Sequence, residues 1–272
     1  MEAVPAAPSS ERGPFRVASA PGPQSSRGRG HPASRDVVDS PGQLRYTATA
    51  MDPLQANEDT VCPVCLSENV GHFQTVRGRV YFRCERCRAT YLSRAQLPTP
   101  EQEKARYDEH RNDPKDPGYR QFLGRIAQPL LQRLPPQARG LDFGCGPGPA
   151  LAEMLTEAGH GVNCYDPFYA PDPRVLEGQY EFITATEVLE HLHQPAETLD
   201  LLDSILRPGG YLGVMTEFLT DDRRFAGWYY RSDLTHVVFY AEETLRQIAQ
   251  LRGWAVDIPR KNVAIFRTGG GG

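Results

Sequence analysis

Leu141-Asp142-Phe143-Gly144-Cys145-Gly146-Pro147-Gly148-Pro149-Ala150 is the stretch that decides the fold. A short apolar run leads into three glycines at alternate positions. Glycine accepts φ > 0, so the main chain can turn sharply there and approach a ligand closely. Pro149 suits the first turn of a following helix. Leu151, Leu155 and Ala158 give that helix an apolar stripe, and Gly159 ends it. The stretch reads as strand, glycine turn and helix, the context in which a glycine-rich turn carries information.

The alternation continues on both sides. Leu123, Ile126, Leu130, Leu131 and Leu134 keep helical spacing until Pro135-Pro136. Strands are predicted over 140–143, 161–165, 182–185, 211–215 and 262–267, and helices over 150–158, 196–206 and 242–252. This pattern predicts an α/β fold, a mostly parallel sheet sandwiched by helices.

Asp142, Gly144, Gly146 and Gly148 resemble motif I of the class I (Rossmann-like) S-adenosylmethionine-dependent methyltransferases, an acid followed by G-x-G-x-G. Leu151 stands where a dinucleotide-binding loop carries its last glycine. Residues 184–192, Thr-Ala-Thr-Glu-Val-Leu-Glu-His-Leu, resemble the fourth-strand segment of small-molecule methyltransferases of the ubiquinone-biosynthesis type. Residues 206–212 resemble the turn before strand five. The resemblance covers about residues 119–267. It implies that the glycine loop, with Cys145 packed inside it, underlies the methionine part of S-adenosylmethionine. It also implies that Asp166 holds the ribose hydroxyls and that Thr186 and Glu187 border the cofactor. The chain departs from the family in one place. Fourteen residues separate Asp166 from Glu181. At about 1.5 Å per helical and about 3.3 Å per strand residue, that is too few for two helices and a strand. Edge strand three is expected to be absent or vestigial. Phe168 or Tyr169 is then a candidate to stack on adenine, or a plain loop aromatic.

Cys62-Pro-Val-Cys65 and Cys84-Glu-Arg-Cys87 stand 18 residues apart. Each pair is a tight turn offering two thiolates, and the intervening residues alternate as a hairpin around Gly78. Four sulfurs at about 2.3 Å complete a Zn²⁺ tetrahedron with no open position, which makes the ion structural. The pattern resembles a zinc ribbon. Two disulfides or a redox dithiol are the alternatives, and no secretory signal favours them.

Pro, Gly and Ser fill 19 of the first 50 positions, so 1–57 is expected to be a disordered tail, with Met51 an alternative start. The remaining expected units are a ribbon at 58–97, a polar linker at 98–118, a methyltransferase domain at 119–268 and a flexible glycine tail at 269–272. Mean hydropathy is −0.51 and no long apolar run exists, so a membrane protein is excluded and a cytoplasmic one expected. Net charge is −4 over 272 residues. The first 50 residues and the ribbon are each net positive, so the rest is acidic, which disfavours phosphate backbones.

Methyl transfer from a sulfonium needs positioning, and a base only where the nucleophile must lose a proton. Residues 225–240 are dense in aromatic and polar groups. Trp228, Tyr229 and Tyr230 are candidate pocket walls, and Asp233 with His236 a candidate base and orienter. A helix cap is the competing reading of Asp233–His236. His191 is a second candidate base. The leading expectation is a methyltransferase acting on a small-molecule acceptor. The alternatives are an RNA methyltransferase guided by the ribbon and a non-catalytic cofactor-binding regulator. The oligomeric state is left open.

Overall fold

β1 (Val70–Val76) and β2 (Arg79–Cys84) form the hairpin that the cysteine spacing predicts. Arg77 and Gly78 turn it with φ of +51° and +79°, the left-handed pair that a two-residue hairpin turn requires. A computed structural model describes residues 59–109 and 112–270. The expected N-terminal tail lies outside them, as do the last two residues. β3 (Thr90–Leu92) adds to β2, and β8 (Val238–Phe239) adds to β3, all antiparallel. The ribbon sheet is therefore completed by a strand from the far end of the chain.

The second sheet runs β5-β4-β6-β7-β10-β9. β4 (Arg139–Phe143), β5 (Gly161–Tyr165), β6 (Tyr180–Thr186) and β7 (Leu206–Met215) are parallel. β10 (Val263–Arg267) joins β7 antiparallel, and β9 (Ala255–Arg260) closes that edge. Strands covered on both sides must be apolar at successive positions. Phe182, Met215, Val263 and Ile265 pack on one face with α2 (Pro117–Leu131) and α3 (Ala150–Glu157). Ile183, Ala185, Leu212, Val214, Ala264 and Phe266 pack on the other with α4 (Pro195–Ile205) and α5 (Glu242–Arg252). A Cβ at Gly140 would overlap the Phe182 ring, so β4 needs glycine there.

No strand stands between Asp166 and β6; one 3-10 turn, Pro173–Glu177, bridges the gap. The expected loss of edge strand three is what the sheet order shows. Other expectations need correction. The 98–118 segment is more than a linker, because α1 (Pro100–Tyr107) occupies it and buries Glu103 and Tyr107. Its start was written in Thr99-Pro100-Glu101-Gln102, a capping box with proline in the first turn. β7 begins at Leu206, five residues before the predicted strand, because Leu206 already pairs with Tyr180, ahead of a bulge in which Gly209 turns at φ +77°. β9 was not predicted. It is an edge strand, which tolerates Pro259 and exposed positions.

Candidate active site

The loops after β4, β5, β6 and β7 converge at the carboxyl edge of the parallel sheet, where α/β folds bind ligands. Gly144 and Gly146 take φ of +76° and +64°. The N–H groups of Gly144 and Cys145 both donate to the Tyr165 carbonyl, at 2.8 and 3.2 Å. A Cβ at Gly144 would overlap Val188, and one at Gly148 would overlap the Asn112 carbonyl. Glycine at both positions is therefore what lets the loop pack this closely on Val188 and on the 112–114 segment.

Asp166 lies against this loop, 1% exposed. One carboxylate oxygen accepts from Gly146 N–H at 3.0 Å. The other accepts from the N–H groups of Phe168 and Tyr169, at 2.9 and 3.1 Å. Burial raises its pKa, and these three bonds oppose the rise. Asp142 accepts from the Thr184 hydroxyl at 2.7 Å, and burial pushes its pKa up to about 6. Asp142, Gly144, Cys145, Gly148 and Thr186 line one small cleft with Tyr119. The Thr186 hydroxyl is buried there and has no hydrogen-bond partner among the described residues. A glycine loop with an unsatisfied hydroxyl and a buried acid fits S-adenosylmethionine. Phe168 and Tyr169 lie against α1 instead of standing free. The Tyr169 hydroxyl donates to Asp108 at 2.7 Å, and the Phe168 ring is 6.0 Å from that of Tyr107.

A second group of side chains stands one residue beyond Thr186. Glu187 has φ of +52°, held by its N–H donating to the Met215 carbonyl at 2.6 Å. The Tyr230 hydroxyl donates to Glu190 at 2.6 Å and also lies 3.3 Å from Glu187 and 3.1 Å from the Thr216 hydroxyl. Burial holds the Glu187 and Glu190 carboxyls well above the usual carboxylate range. The His191 ring meets that of His236 edge-on at 4.6 Å, and Tyr230 covers His236 at 4.1 Å. Tyr107 packs edge-on against His191 at 5.6 Å.

Of the three expected catalytic residues, His191 and His236 meet in this group. Asp233 is engaged differently. It accepts from the Thr235 N–H and hydroxyl at 3.0 and 2.7 Å, and from Arg106 of α1 at 3.1 Å. Burial pushes its carboxyl up, but the nearby His236 and the Thr235 bonds outweigh that and hold it low. The arrangement is a turn-closing clamp that ties α1 to the 233–236 loop. Among the expected walls, Tyr230 is central, Trp228 packs on Tyr230 and Phe239, and Tyr229 is 70% exposed. Glu190, the Tyr230 hydroxyl and Arg106 were not singled out as site residues. The signal available for Glu190 was an acid beside His191, directly after a strand end.

The four ribbon cysteines form two matching turns. Leu66 N–H donates to the Cys62 carbonyl and Arg88 N–H to the Cys84 carbonyl, each residue left-handed at φ +57° and +63°. Cys62 and Cys87 sulfurs lie 3.6 Å apart, Cys65 and Cys84 sulfurs 3.5 Å. A tetrahedral ion with bonds of about 2.3 Å needs sulfurs about 3.8 Å apart, so the set fits zinc.

A family model described as a methyltransferase domain matches residues 107–257. No curated protein matches the sequence. Among solved structures, the chain is similar to an O-methyltransferase family protein of Burkholderia thailandensis. Identity is 18%, coverage 66% of each chain and TM-score 0.43, so the match spans about two thirds of that protein. It is also similar to the 1,6-didemethyltoxoflavin-N1-methyltransferase of Burkholderia thailandensis, at 17% identity, 73% and 99% coverage and TM-score 0.40.

Proposed function

The chain belongs to the methyltransferase-domain family, and from that premise we propose that it transfers the methyl group of S-adenosylmethionine to a small-molecule acceptor. The observation that carries this reading is one strand end. β6 finishes with Thr186, whose unsatisfied hydroxyl lines the glycine cleft, and the next residues begin the buried Glu–His group. Donor cleft and proton-accepting groups are therefore neighbours along the chain.

Asp142, Gly144, Cys145, Gly146, Gly148, Asp166, Thr186 and Glu187 would hold the donor, which supplies an activated methyl group when bound. The glycine loop provides close main-chain approach, and buried carboxylates attract its positive charges. Glu187, Glu190, His191 and His236 would face the acceptor, where an oxygen or nitrogen nucleophile loses its proton as it attacks in line. Tyr230 and Tyr107 exclude water from that space. Cys62, Cys65, Cys84 and Cys87 would hold a structural Zn²⁺.

Enclosure and charge favour a small acceptor over RNA. Glu187, Glu190, His191, His236 and Tyr230 are each less than a tenth exposed, too enclosed to admit a polymer. The test uses full-length protein, methyl-tritiated S-adenosylmethionine and a fractionated cell extract. Label in the small-molecule fraction is the expected result. Label that disappears with ribonuclease would make the acceptor RNA and overturn the reading. Glu190→Gln should lower kcat at least 10²-fold, the usual contribution of a positioned base at about 10²–10⁴. Donor affinity, read by calorimetry, should stay within about threefold.

A further inference from the structure

We propose that Glu190, His191 and His236 hold a divalent transition-metal ion, a second metal site separate from the four cysteines. One ligand atom from each of the three lies within 4.8 Å of the other two, and all three side chains are buried. Two imidazoles and one carboxylate form a common donor set for Zn²⁺, Fe²⁺ and Mn²⁺. Bonds of about 2.0–2.2 Å bring such atoms to roughly 3.0–3.5 Å of one another. The His191 Nε2 to Glu190 distance, 3.9 Å, is already near that range.

The surroundings orient these groups as metal ligands are oriented. His191 Nδ1 lies 3.1 Å from the Thr235 carbonyl, so its N–H donates there and Nε2 presents its lone pair. The Tyr230 hydroxyl fixes one Glu190 oxygen at 2.6 Å. The other, Oε2, is buried without a hydrogen-bond partner among the described residues. The main chain is equally fixed. Val237 N–H donates to the Glu190 carbonyl at 2.8 Å, and Leu92 N–H to the Val237 carbonyl at 2.8 Å. The His236 loop is thus strapped to the Glu190 turn on one side and to β3 on the other. The carboxyl oxygens of Glu187 and Glu190 both converge on the Tyr230 hydroxyl, at 3.3 and 2.6 Å, so oxygen donors gather beside the two imidazoles.

Three protein ligands leave a coordination position for an oxygen of the acceptor. That role rests on the proposed methyl transfer; binding of the ion does not. The acceptor class would then be a molecule with a hydroxyl that coordinates the ion as its oxygen attacks the methyl group. The proton passes to a neighbouring carboxylate, and the donor leaves as its thioether.

The test is metal content of the full-length protein, loaded with Zn²⁺ and desalted, by mass spectrometry. Wild type should retain two equivalents. Glu190→Gln and His236→Asn, each with wild-type circular dichroism, should retain one. A single equivalent in wild type would overturn the proposal. Two equivalents surviving in both variants would do so as well. Should either variant fail to fold, Co²⁺ titration of the wild type decides. The first equivalent should bring sulfur-to-metal charge-transfer absorption, and the second only visible d–d bands. Absence of that second step overturns the assignment. Two ions with no label in any small molecule would sink the proposed function and leave the metal site standing.

Discussion

Asp142 ends up 4% exposed near the end of β4, and burial outweighs the Thr184 bond to push its pKa up to about 6. A carboxyl raised above its ordinary value of 3.8 favours the folded state while protonated. Its contribution is complete below about pH 4 and is lost as pH rises through 6. The donor-free protein should therefore melt higher at pH 5 than at pH 7.5 on this group's account. Asp142→Asn keeps an oxygen for the Thr184 hydroxyl and removes the charge. The variant should flatten the pH 4–6 slope and gain on the order of 3 kcal/mol at neutral pH. The same substitution should weaken S-adenosylmethionine binding, because the cleft loses a charge facing a cation. Scanning calorimetry across pH and titration calorimetry check the two signs. A variant that melts no higher at pH 7.5 and binds the donor as tightly would contradict both. Gly148 makes a sharper steric case. An alanine there meets the Asn112 carbonyl, so Gly148→Ala should disturb the 112–116 segment and reduce donor affinity.

Two elements outside the parallel sheet shape the proposed acceptor side. α1 delivers Arg106 to Asp233 and Tyr107 to His191, and its Glu103 pairs with His193 at 2.8 Å. Its N-cap is Thr99, so Thr99→Ala should cost about 1 kcal/mol and loosen these contacts. Denaturant melts measure the first effect and acceptor KM the second. β3 clamps β8, pairing Thr90 with Phe239 and Tyr91 with Val238. His236 stands two residues before β8, so the ribbon reaches the Glu–His group through main chain. Replacing Cys62 and Cys65 by serine should speed amide exchange at 237–239. It should also cut kcat about 10²-fold, the scale of a misplacement near 1 Å, with donor Kd unchanged. The legible parts of this architecture were the local ones. Glycine spacing, the CxxC pairs and the short 167–180 gap each encode their consequence within a few residues. The β3–β8 pairing joins residues about 150 apart and left no periodic signal. α1 was hidden by its polar composition, although its capping box was in plain sight. Asp233 was legible as a polar group and not as a clamp, because its partner Arg106 lies in another element.

The ribbon and the parallel sheet do not have separate cores. Tyr81 of β2 meets Phe225 edge-on at 4.9 Å and Phe239 at 6.0 Å, and Phe73 meets Phe225 at 5.3 Å. Arg83 places its guanidinium 4.0 Å over Phe73 and pairs with Asp222 at 2.7 Å. Tyr81, Tyr91, Phe225 and Phe239 belong to the same apolar cluster as Leu199, Leu212 and Phe266 of the parallel sheet's α4/α5 face. Buried aromatic pairs of this kind contribute about 0.5–1.5 kcal/mol each beyond their burial. Removing the ribbon would bare Phe225 and Phe239, both fully buried in the whole chain. Deletion of 59–97 should therefore give an aggregating product, whereas a freestanding module would leave a soluble, donor-binding remainder. In the intact chain, heat should unfold both sheets in one transition. Stripping the proposed zinc with a thiol-compatible chelator should shift that transition down as a whole. Two resolved calorimetric peaks, or a ribbon that melts while donor binding persists, would instead mark the two sheets as independent. The shared aromatic core predicts a single peak, because neither sheet can open without wetting the rings of the other.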